Sequence, residues 1–350
     1  MTNSSTPEPD DWHDALLVLP RLRVQNANAI SSPMTWGFPA ITAFVGFMVA
    51  LERRLGAQAG IRFQGVGVVC HSFEPQVTTQ GYTRSFSLTR NPVQHDGSTA
   101  GIVEEGRVHL DVTLVFDMQV SARHLGEAER RALALQIADQ VAGMRCAGGS
   151  VMPQLPGLGN RPARPLLAQL PQDPVERVKT FRRLARRWLP GFALVARDDL
   201  LQCRLATLKE TDPQTTALDA WLDLSRWTHR ASKRNKDTAT GPIEVVDWSV
   251  DPRQGWTVPI PVGYTALSAL HPAGTVGSAR DANTPFRFVE SVYSIGQWVS
   301  PHRLQALSEL LWYGQHDPAT GLYRCTNHYP PPALPQPDPA DAPLADLAPV

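Results

Sequence analysis

The chain has 350 residues and a formal net charge of zero, with 33 basic and 33 acidic side chains. No apolar run approaches the roughly 20 residues that a membrane-spanning helix needs, and the acidic start of the chain is unlike a secretory signal peptide. We therefore expect a cytoplasmic protein without a membrane partner, long enough for about two domains.

The four cysteines are widely spaced and form no C-x-x-C pair; they are Cys70, Cys146, Cys203 and Cys325. This spacing gives no support for a zinc site or for a disulfide framework. We expect reduced, buried thiols, and neither a metal nor another cofactor.

The neutral total conceals a basic middle of the chain. Residues 1–14 hold four acids and residues 331–350 hold three, and neither segment contains Lys or Arg. Residues 15–330 therefore carry 33 basic against 26 acidic side chains, a net charge of +7. Arginine predominates, and its planar guanidinium suits contacts with phosphates and bases. The charge permits a nucleic-acid partner without requiring one.

The first half of the chain alternates strands and helices. After an acidic flexible tail over 1–14, "ALLVLPRLRV" predicts a strand with Leu16, Val18, Leu22 and Val24 on one face, and Pro20 marks an edge or irregular position. This strand is followed by a polar loop, a helix over 39–55 and the strand "IRFQGVGVVCH". After them come a turn-rich insertion, the strand "RVHLDVTLVF" and a helix over 127–142. This order predicts an α+β, RRM-like or ferredoxin-like domain over 15–155, with a thumb-like insertion at about 74–100.

The second half has weaker patterns. We expect a helical region over 156–242, in which Asp173 caps a basic helix and 231–241 form a loop. Irregular strands follow over 243–325, with a helix from Ser300 to Gly314 that packs back on the core. The segment 326–350 is rich in proline and is predicted to be disordered.

Several catalytic readings have little support. "GVGVVC" at 65–70 lacks the third glycine of a dinucleotide fingerprint and is better explained as strand glycines. The spacing of His71, Glu74, His95 and Asp96 matches no known metal site. Ser98 beside His95 and Asp96 does not make a catalytic triad, because a triad is defined by geometry and not by adjacency.

The segment "RLRVQNANAISSPMTWGFP" at 21–39 is the main candidate for binding. It has amides, hydroxyls and an indole ring but no charged side chain after Arg23. Amides read base edges, serines and a helix N-terminus hold phosphates, and a tryptophan stacks on a base. Such a set favours holding RNA over cutting it, although a buried loop that satisfies its own backbone is the alternative. The candidate residues are Arg21, Arg23, Gln25, Asn26, Asn28, Ser31, Ser32 and Trp36.

Three further segments are secondary candidates. The stretch "RNP" adds Arg90 and Asn91, with Arg84 nearby. The stretch "MRCAGGSV" adds Arg145, Gly148, Gly149 and Ser150. Its paired glycines either bring backbone N–H groups close to an anion or simply form a turn. The basic helix is either a solvated face or a contact with RNA or a protein partner; its arginines are Arg182, Arg183, Arg186 and Arg187.

At these residues the sequence resembles a known family. Seven stretches of the sequence are similar to the second Csy subunits of type I-F CRISPR–Cas surveillance complexes, a Cas-five-type, RAMP-like family. They are "LPRLRVQNANAISSPMTWGFPAITAFVGF", "LTRNPVQHDGSTAGIVEEGRVHL", "GMRCAGGSVMP", "RRWLPGFALV", "GWTVPIPVGYTALS", "TPFRFVE" and "SPHRLQALSELLWY". The resemblance covers about 15–325 and leaves out both tails.

The resemblance implies a noncatalytic subunit of an antiviral RNA-guided complex. Such a subunit caps the 5′ handle of the CRISPR RNA, pairs with the large first Csy subunit as a heterodimeric tail, and contacts the terminal backbone subunit near the target double-stranded DNA. It also implies a RAMP-type fold with a thumb and an added helical region. The contact residues named above remain inferences from chemistry.

Two rival functions stay open at this point. One is a metal-independent endoribonuclease that processes repeat RNA, with a base among His71, His95 and His109, or a lysine acting with Tyr82. The other is a subunit that mainly bridges proteins and makes little RNA contact of its own.

Overall fold

A computed structural model describes residues 12–90, 93–153, 164–238, 241–251, 253, 255–279 and 281–329. Over these residues the fold is α+β, with one large antiparallel sheet, four two-stranded sheets and five α-helices. The mixed class agrees with the sequence pattern. None of the helices in these ranges has the length and apolar character of a membrane span.

Two of the described helices begin at side-chain caps, and the first ends at a glycine. The Asp173 carboxylate accepts a hydrogen bond from the Glu176 N–H, and Thr216 and Asp219 form a capping box. Gly56, with φ of 77°, ends the first helix. The helices are α1 (Ile41–Leu55), α2 (Glu127–Ala142), α3 (Pro174–Ala185), α4 (Asp198–Thr211) and α5 (Ala217–Ser225).

The strands vary from 2 to 17 residues in length. Those of the first half are β1 (Trp12–Asn28), β2 (Ile30–Ser32), β3 (Thr35–Trp36), β4 (Ile61–Pro75), β5 (Val77–Gln80), β6 (Thr83–Phe86), β7 (Leu88–Arg90), β8 (Ile102–Glu104), β9 (Arg107–Ser121), β10 (Arg145–Cys146), β11 (Gly149–Val151) and β12 (Leu166–Gln169). The others are β13 (Phe192–Ala196), β14 (His229–Thr238), β15 (Gly241–Val250), β16 (Trp256–Ala266), β17 (Val289–Val299), β18 (Leu311–Asp317) and β19 (Leu322–Asn327).

The large sheet runs in the order β10-β11-β1-β9-β4-β13-β17-β16-β19-β18, and β12 also pairs with β1. β13 and β18 pair with neighbouring parts of β4, through Val69 and Gly67 respectively. The path of hydrogen-bonded strands therefore returns to β4. In the region predicted as irregular strands over 243–325, β16 to β19 are members of this same sheet, whereas β15 belongs to a separate two-stranded sheet.

Two hydrophobic cores lie on opposite faces of the sheet. On one face Leu17 and Leu19 of β1 pack with Phe44 of α1 and Ile137 of α2. On the other face Leu16 and Val18 pack with Phe181 of α3, Trp188 and Leu304. Because β1 and β9 bury side chains on both faces, they form the centre of the molecule.

Two bulges in β1 change which side chains face which core. The register with β9 shifts between Leu19 and Leu22, and again between Val24 and Ala27. Leu22 and Val24 consequently join the core of α1, so the prediction that they share a face with Leu16 and Val18 was wrong. A shift of one residue moves the following side chains to the other face. Pro20 lies at the first bulge, within a strand that has neighbours on both sides.

The glycines of "GVGVVC" allow β18 to approach β4. A Cβ on Gly67 would lie 2.5 Å from Cγ of Leu310, and one on Gly65 would lie 2.8 Å from the Tyr313 ring. They are strand glycines at a close approach, as expected, and do not form a dinucleotide loop.

The insertion between β4 and β9 contains paired strands. β5 pairs with β6, and β7 pairs with β8. The thumb-like insertion predicted at 74–100 therefore corresponds to a hairpin and a second strand pair, extending to Glu104.

Other sequence predictions need correction. The helix predicted from Ser300 to Gly314 is absent: two 3₁₀ turns, Pro301–Arg303 and Leu307–Glu309, lead into β18. The loop predicted at 231–241 lies largely in the β14–β15 ribbon, whose strands pair over ten residues. Of the acidic tail, residues 12–14 belong to β1; residues 1–11, and 330–350 of the proline-rich tail, lie outside the described residues.

The thiols are free, as expected, but they are not all buried. Burial raises the pKa of Cys70, Cys146 and Cys325 to about 12, which keeps these thiols protonated. Cys203 is exposed on α4.

Candidate nucleic-acid interface

The polar segment forms a compact turn between β1 and α1. Ser31 Oγ and Ser32 Oγ lie 2.8 and 2.7 Å from the Thr35 hydroxyl, and the Met34 N–H donates to Ser32 Oγ at 3.2 Å. Ser32 is buried and fully engaged within the β2–β3 turn, whereas Ser31 is half-buried. Of the two predicted serines, only Ser31 is placed to meet a ligand.

The amides of this segment have separate tasks. Asn28 donates from Nδ2 to the Ile30 carbonyl at 2.8 Å and accepts from the Ile30 N–H at 3.1 Å, which fixes the turn. Asn26 has φ of 55°, and its N–H donates to Nδ1 of His109 at 3.1 Å. Gln25 is half-buried opposite Ser150 of β11.

The glycine pair at 148–149 is a structural turn beside this segment. A Cβ on Gly149 would lie 2.5 Å from the Gln25 carbonyl oxygen, so no side chain can be accommodated there. Gly148 has φ of 78°, and its carbonyl accepts a hydrogen bond from Arg145 Nε at 3.1 Å. The Asn28 N–H donates to the Ala147 carbonyl at 2.9 Å. The predicted turn and the polar segment therefore meet.

An open cleft of about 600 Å³ lies where these parts converge on α1. We call it the polar cleft. Its floor is the small-residue face of α1, including Ala43, Gly46 and Ala50. A Cβ on Gly46 would meet no atom within 4 Å, so the floor is open. Its rim is formed by Asn28, Ser31, Arg145, Gly148, Tyr264 and Tyr323, and among the described residues no acid or histidine lines it.

Tyr264 and Tyr323 were missed by the sequence reasoning. They come from β16 and β19, more than 200 residues beyond the polar segment, and no local motif marks them. Tyr264 is exposed, and burial raises the pKa of Tyr323. Such rings offer stacking surfaces and hydroxyl donors.

Arg21 and Arg23 do not reach this cleft. The Arg21 N–H donates to Thr113 Oγ1 at 3.2 Å, and its guanidinium pairs with Asp111 at 2.9 Å. Asp111 and Thr113 alternate along β9 with Val112, which belongs to the core of α1, so they lie on the opposite face of the sheet. Arg23 is exposed. The sheet therefore separates the two arginines from the helix α1 and from Asn28 beside it.

Trp36 lies at the base of the insertion. Its ring is 59% exposed and contacts Phe86 of β6 edge-on, with 5.6 Å between the ring centroids. Arg84 is exposed on the same strand, and Arg90 belongs to β7, whereas Asn91 lies outside the described residues. Trp36 thus joins the polar segment to the hairpin.

The basic helix presents a one-sided charge. Phe181, Leu184 and Trp188 are buried against the sheet. The arginines opposite them are exposed, and Arg182 donates to Gln305; they are Arg182, Arg183, Arg186 and Arg187. Exposure fits a solvated face or a phosphate-binding surface equally well.

The histidines of the catalytic alternatives are dispersed or engaged. His71 is bonded through both ring nitrogens, to the Pro190 carbonyl and the Thr113 hydroxyl at 2.7 Å each, and burial lowers its pKa. His109 accepts from Asn26. Among the described residues no three of His, Cys, Asp and Glu are grouped to hold a metal ion.

The fold and cleft define an α+β protein with an open, acid-free polar surface, and comparison with known proteins places it in a family. The sequence model described as CRISPR-associated protein Csy2 matches residues 17–325. A relative named CRISPR-associated protein Csy2, from Pseudomonas aeruginosa strain UCBPP-PA14, is 49% identical over 313 residues, which are 89% of this chain and 94% of that protein. The chain therefore belongs to the Csy2 family, the type I-F Csy subunits, and the resemblance seen in the sequence is confirmed.

Proposed function

We propose that this Csy-complex subunit holds the 5′ handle of the CRISPR RNA in the polar cleft without cleaving it. The observation that carries the proposal is the lining of the cleft, whose described residues offer amide, hydroxyl, guanidinium and phenol groups but no carboxylate or imidazole. Arg145 at the rim supplies a positive charge for a phosphate, and the tyrosines supply rings for bases. Metal-free RNA cleavage needs a general base near a 2′-hydroxyl, and none of the residues that the structure describes around this cleft is an acid or a histidine.

The strand order also supports a RAMP-type, RRM-like centre. A βαββαβ unit places its fourth strand beside the first, and its third between the first and second. Here β11 and β12 flank β1, and β9 lies between β1 and β4. The hairpin of β5 and β6 is then the thumb, and Trp36 and Arg84 lie where a thumb would touch RNA.

The partners proposed are those of a tail subunit. They are the large first Csy subunit as heterodimer partner, the terminal backbone subunit, and target double-stranded DNA close to the tail. Some tryptophan side chains, such as those of Trp227 and Trp248, have more than half of their surface exposed to solvent. They supply aromatic surface of the kind that is enriched in protein interfaces.

The test is co-expression of the full chain with the large Csy subunit and the CRISPR RNA. We expect a ternary complex in which ultraviolet crosslinking joins the 5′ end of the RNA to peptides of 25–50 or 145–150. Crosslinks to the other subunit alone would contradict the proposal. Incubation of the purified chain with labelled repeat RNA is the companion measurement, and cleavage by the chain alone would establish the endoribonuclease instead.

A further inference from the structure

A second cavity, of about 400 Å³, adjoins the polar cleft. It lies between the β2–β3 turn, the end of β4 and the sheet of β13, β16 and β17, and its volume is within the range of small-ligand sites. We call it the aromatic cavity because six rings line it: Trp36, Phe38, Phe73, Phe192, Trp256 and Trp298.

Four of these rings are open to solvent. The exposed fractions are 59% for Trp36, 57% for Trp256, 43% for Phe192 and 38% for Phe73. Large aromatic residues are usually mostly buried, and a cluster of exposed ones marks a binding surface.

The rings enclose a space instead of forming a flat patch. The planes of Phe192 and Trp256 meet at 74° with centroids 5.4 Å apart, and those of Phe38 and Trp298 meet at 85° at 4.9 Å. A flat group inserted here would have ring faces and ring edges on several sides, which suits offset or edge-on aromatic contact.

The lining also excludes a charged occupant. The part of the chain that the structure describes contributes no Asp, Glu, Lys or Arg to it. His71 cannot offer a free donor or acceptor, because both of its ring nitrogens are bonded within the protein. The site therefore suits a flat, uncharged ring and neither a phosphate nor an ionised side chain.

Ser31 lines both the polar cleft and the aromatic cavity. An RNA strand whose backbone lies in the first would pass the β2–β3 turn to reach the second. We propose that the aromatic cavity takes one unstacked nucleobase of the RNA that the polar cleft holds. This inference rests on the proposed function and names a subsite of it.

A nucleobase agrees with these features better than a peptide does. Proline-rich peptides are recognised along open, extended grooves, whereas this space is closed on one side by the β2–β3 turn and is continuous with the polar cleft. Residues 330–350 of the chain, which hold many prolines, are the competing occupant that an experiment must distinguish.

The test uses the complex assembled on a synthetic copy of the 5′ end of its CRISPR RNA, with one base removed at a time. For the full chain we expect one abasic position to weaken binding by about tenfold, and for Trp256→Leu we expect that position to cost nothing further. Phe288→Leu is the control, because Phe288 is exposed and is not among the residues that line the cavity. Trp36→Leu serves equally if Trp256→Leu fails to fold.

A fluorescent base gives an independent readout. With 2-aminopurine at the sensitive position, stacking should quench its emission in the wild type and in Phe288→Leu, but not in Trp256→Leu. If the complex binds RNA but the effect of every abasic position is the same with and without Trp256 or Trp36, the inference is overturned and the proposed function stays intact. If the complex does not bind RNA, the inference and the proposed function are both overturned. Tryptophan emission that changes when 330–350 are deleted, but not when RNA is added, would assign the cavity to the chain's own tail and also overturn the inference.

Discussion

Arg21 and Arg23 are two residues apart on β1, but their surroundings give them different tasks. Arg21 has φ of 54°, an uncommon conformation for a residue with a side chain, and its hydrogen bonds to Thr113 and Asp111 hold it there. Arg23 is exposed, and its carbonyl accepts from the Met152 N–H. We therefore assign Arg21 to the bulge and leave the Arg23 side chain available for a phosphate.

This difference makes a testable pair. Arg21→Ala should lower the free energy of unfolding by about 1 kcal/mol, because Asp111 loses its partner, while Arg23→Ala should change it by less than about 0.5 kcal/mol. In RNA binding, Arg23→Ala should reduce the slope of log K against log salt by about one if it contacts a phosphate. The measurements are chemical denaturation and a salt titration of RNA binding by the complex. An unchanged slope would remove Arg23 from the contact surface.

Asp117 on β9 is the carboxyl group with the most unusual surroundings among those described. Burial, followed by the charge of Asp14, raises the pKa of Asp117 to about 6, with Arg177 opposing the shift. Since the folded state binds this proton more tightly than the unfolded chain, its stabilising effect is complete below pH 4 and is lost as the pH rises through about 6.

We expect Asp117→Asn to flatten the pH dependence of stability between pH 4 and 6. At pH 7.5 the variant should be more stable by roughly 1–3 kcal/mol, since two pKa units correspond to that order of free energy. Denaturant unfolding at a series of pH values measures this. Asp139→Asn, on the exposed face of α2, is the control, and the same slope in all three proteins would refute the assignment.

At the scale of elements, α1 carries both a core and a binding surface. Its buried stripe, including Phe44, Val45 and Leu51, packs under the sheet, while Ala43, Gly46 and Ala50 floor the polar cleft. Glycine inside a helix costs up to about 1 kcal/mol relative to alanine. A substitution of Gly46 is therefore expected to change RNA binding in the polar cleft without lowering the stability of the helix.

Gly46→Glu and Gly46→Gln form a matched pair for the cleft. Both side chains project into open space and favour the helix, so both variants should fold with equal or greater stability. Gly46→Glu should weaken retention of the RNA handle about tenfold or more, because it adds a negative charge opposite Arg145, and Gly46→Gln should weaken it less. RNA retention by the purified complex is the measurement. Wild-type retention in both variants would place the RNA elsewhere.

The elements that follow a strong local pattern were predictable. α1 and α3 have an apolar stripe and a stop or cap, and in β9 the alternating residues Val108, Leu110, Val112, Leu114 and Phe116 share one core. The strand β14 was not predictable, because it lies outside both cores and contains no large apolar side chain that could alternate with polar ones. The segment 300–314 was misread because its leucines recur at helical spacing; here Leu310 instead packs over Gly67, and Trp312 donates to the Leu194 carbonyl.

The candidate site was only partly predictable for the same reason. Asn28, Ser31, Arg145 and Gly148 come together as expected, since short turns beside paired strands stay close. The bulges that turn Arg21 away from the cleft depend on the pairing of β1 with β9, and Tyr264 and Tyr323 arrive through long-range strand order. Neither the bulges nor the position of the two tyrosines can be predicted from a short stretch of sequence.

At the scale of the molecule, the two cores share β1 and β9, whereas the hairpins and the ribbon extend from them. β9 has neighbouring strands on both sides and buried side chains on both faces. The β14–β15 ribbon is a separate two-stranded sheet, and Val246 and Trp248 on it are exposed. Local opening is cheapest where few apolar contacts hold the backbone.

Hydrogen exchange should therefore be strongly graded along the chain. In the isolated protein we expect β1, β4 and β9 to exchange only through global unfolding, and β5, β6, β14 and β15 to exchange orders of magnitude faster. Mass spectrometry of peptides after timed exchange measures this. If the ribbon binds a partner subunit, its protection should rise on assembly of the complex while that of β9 stays unchanged. A ribbon as protected as β9 in the isolated chain would contradict this description of where the stability lies.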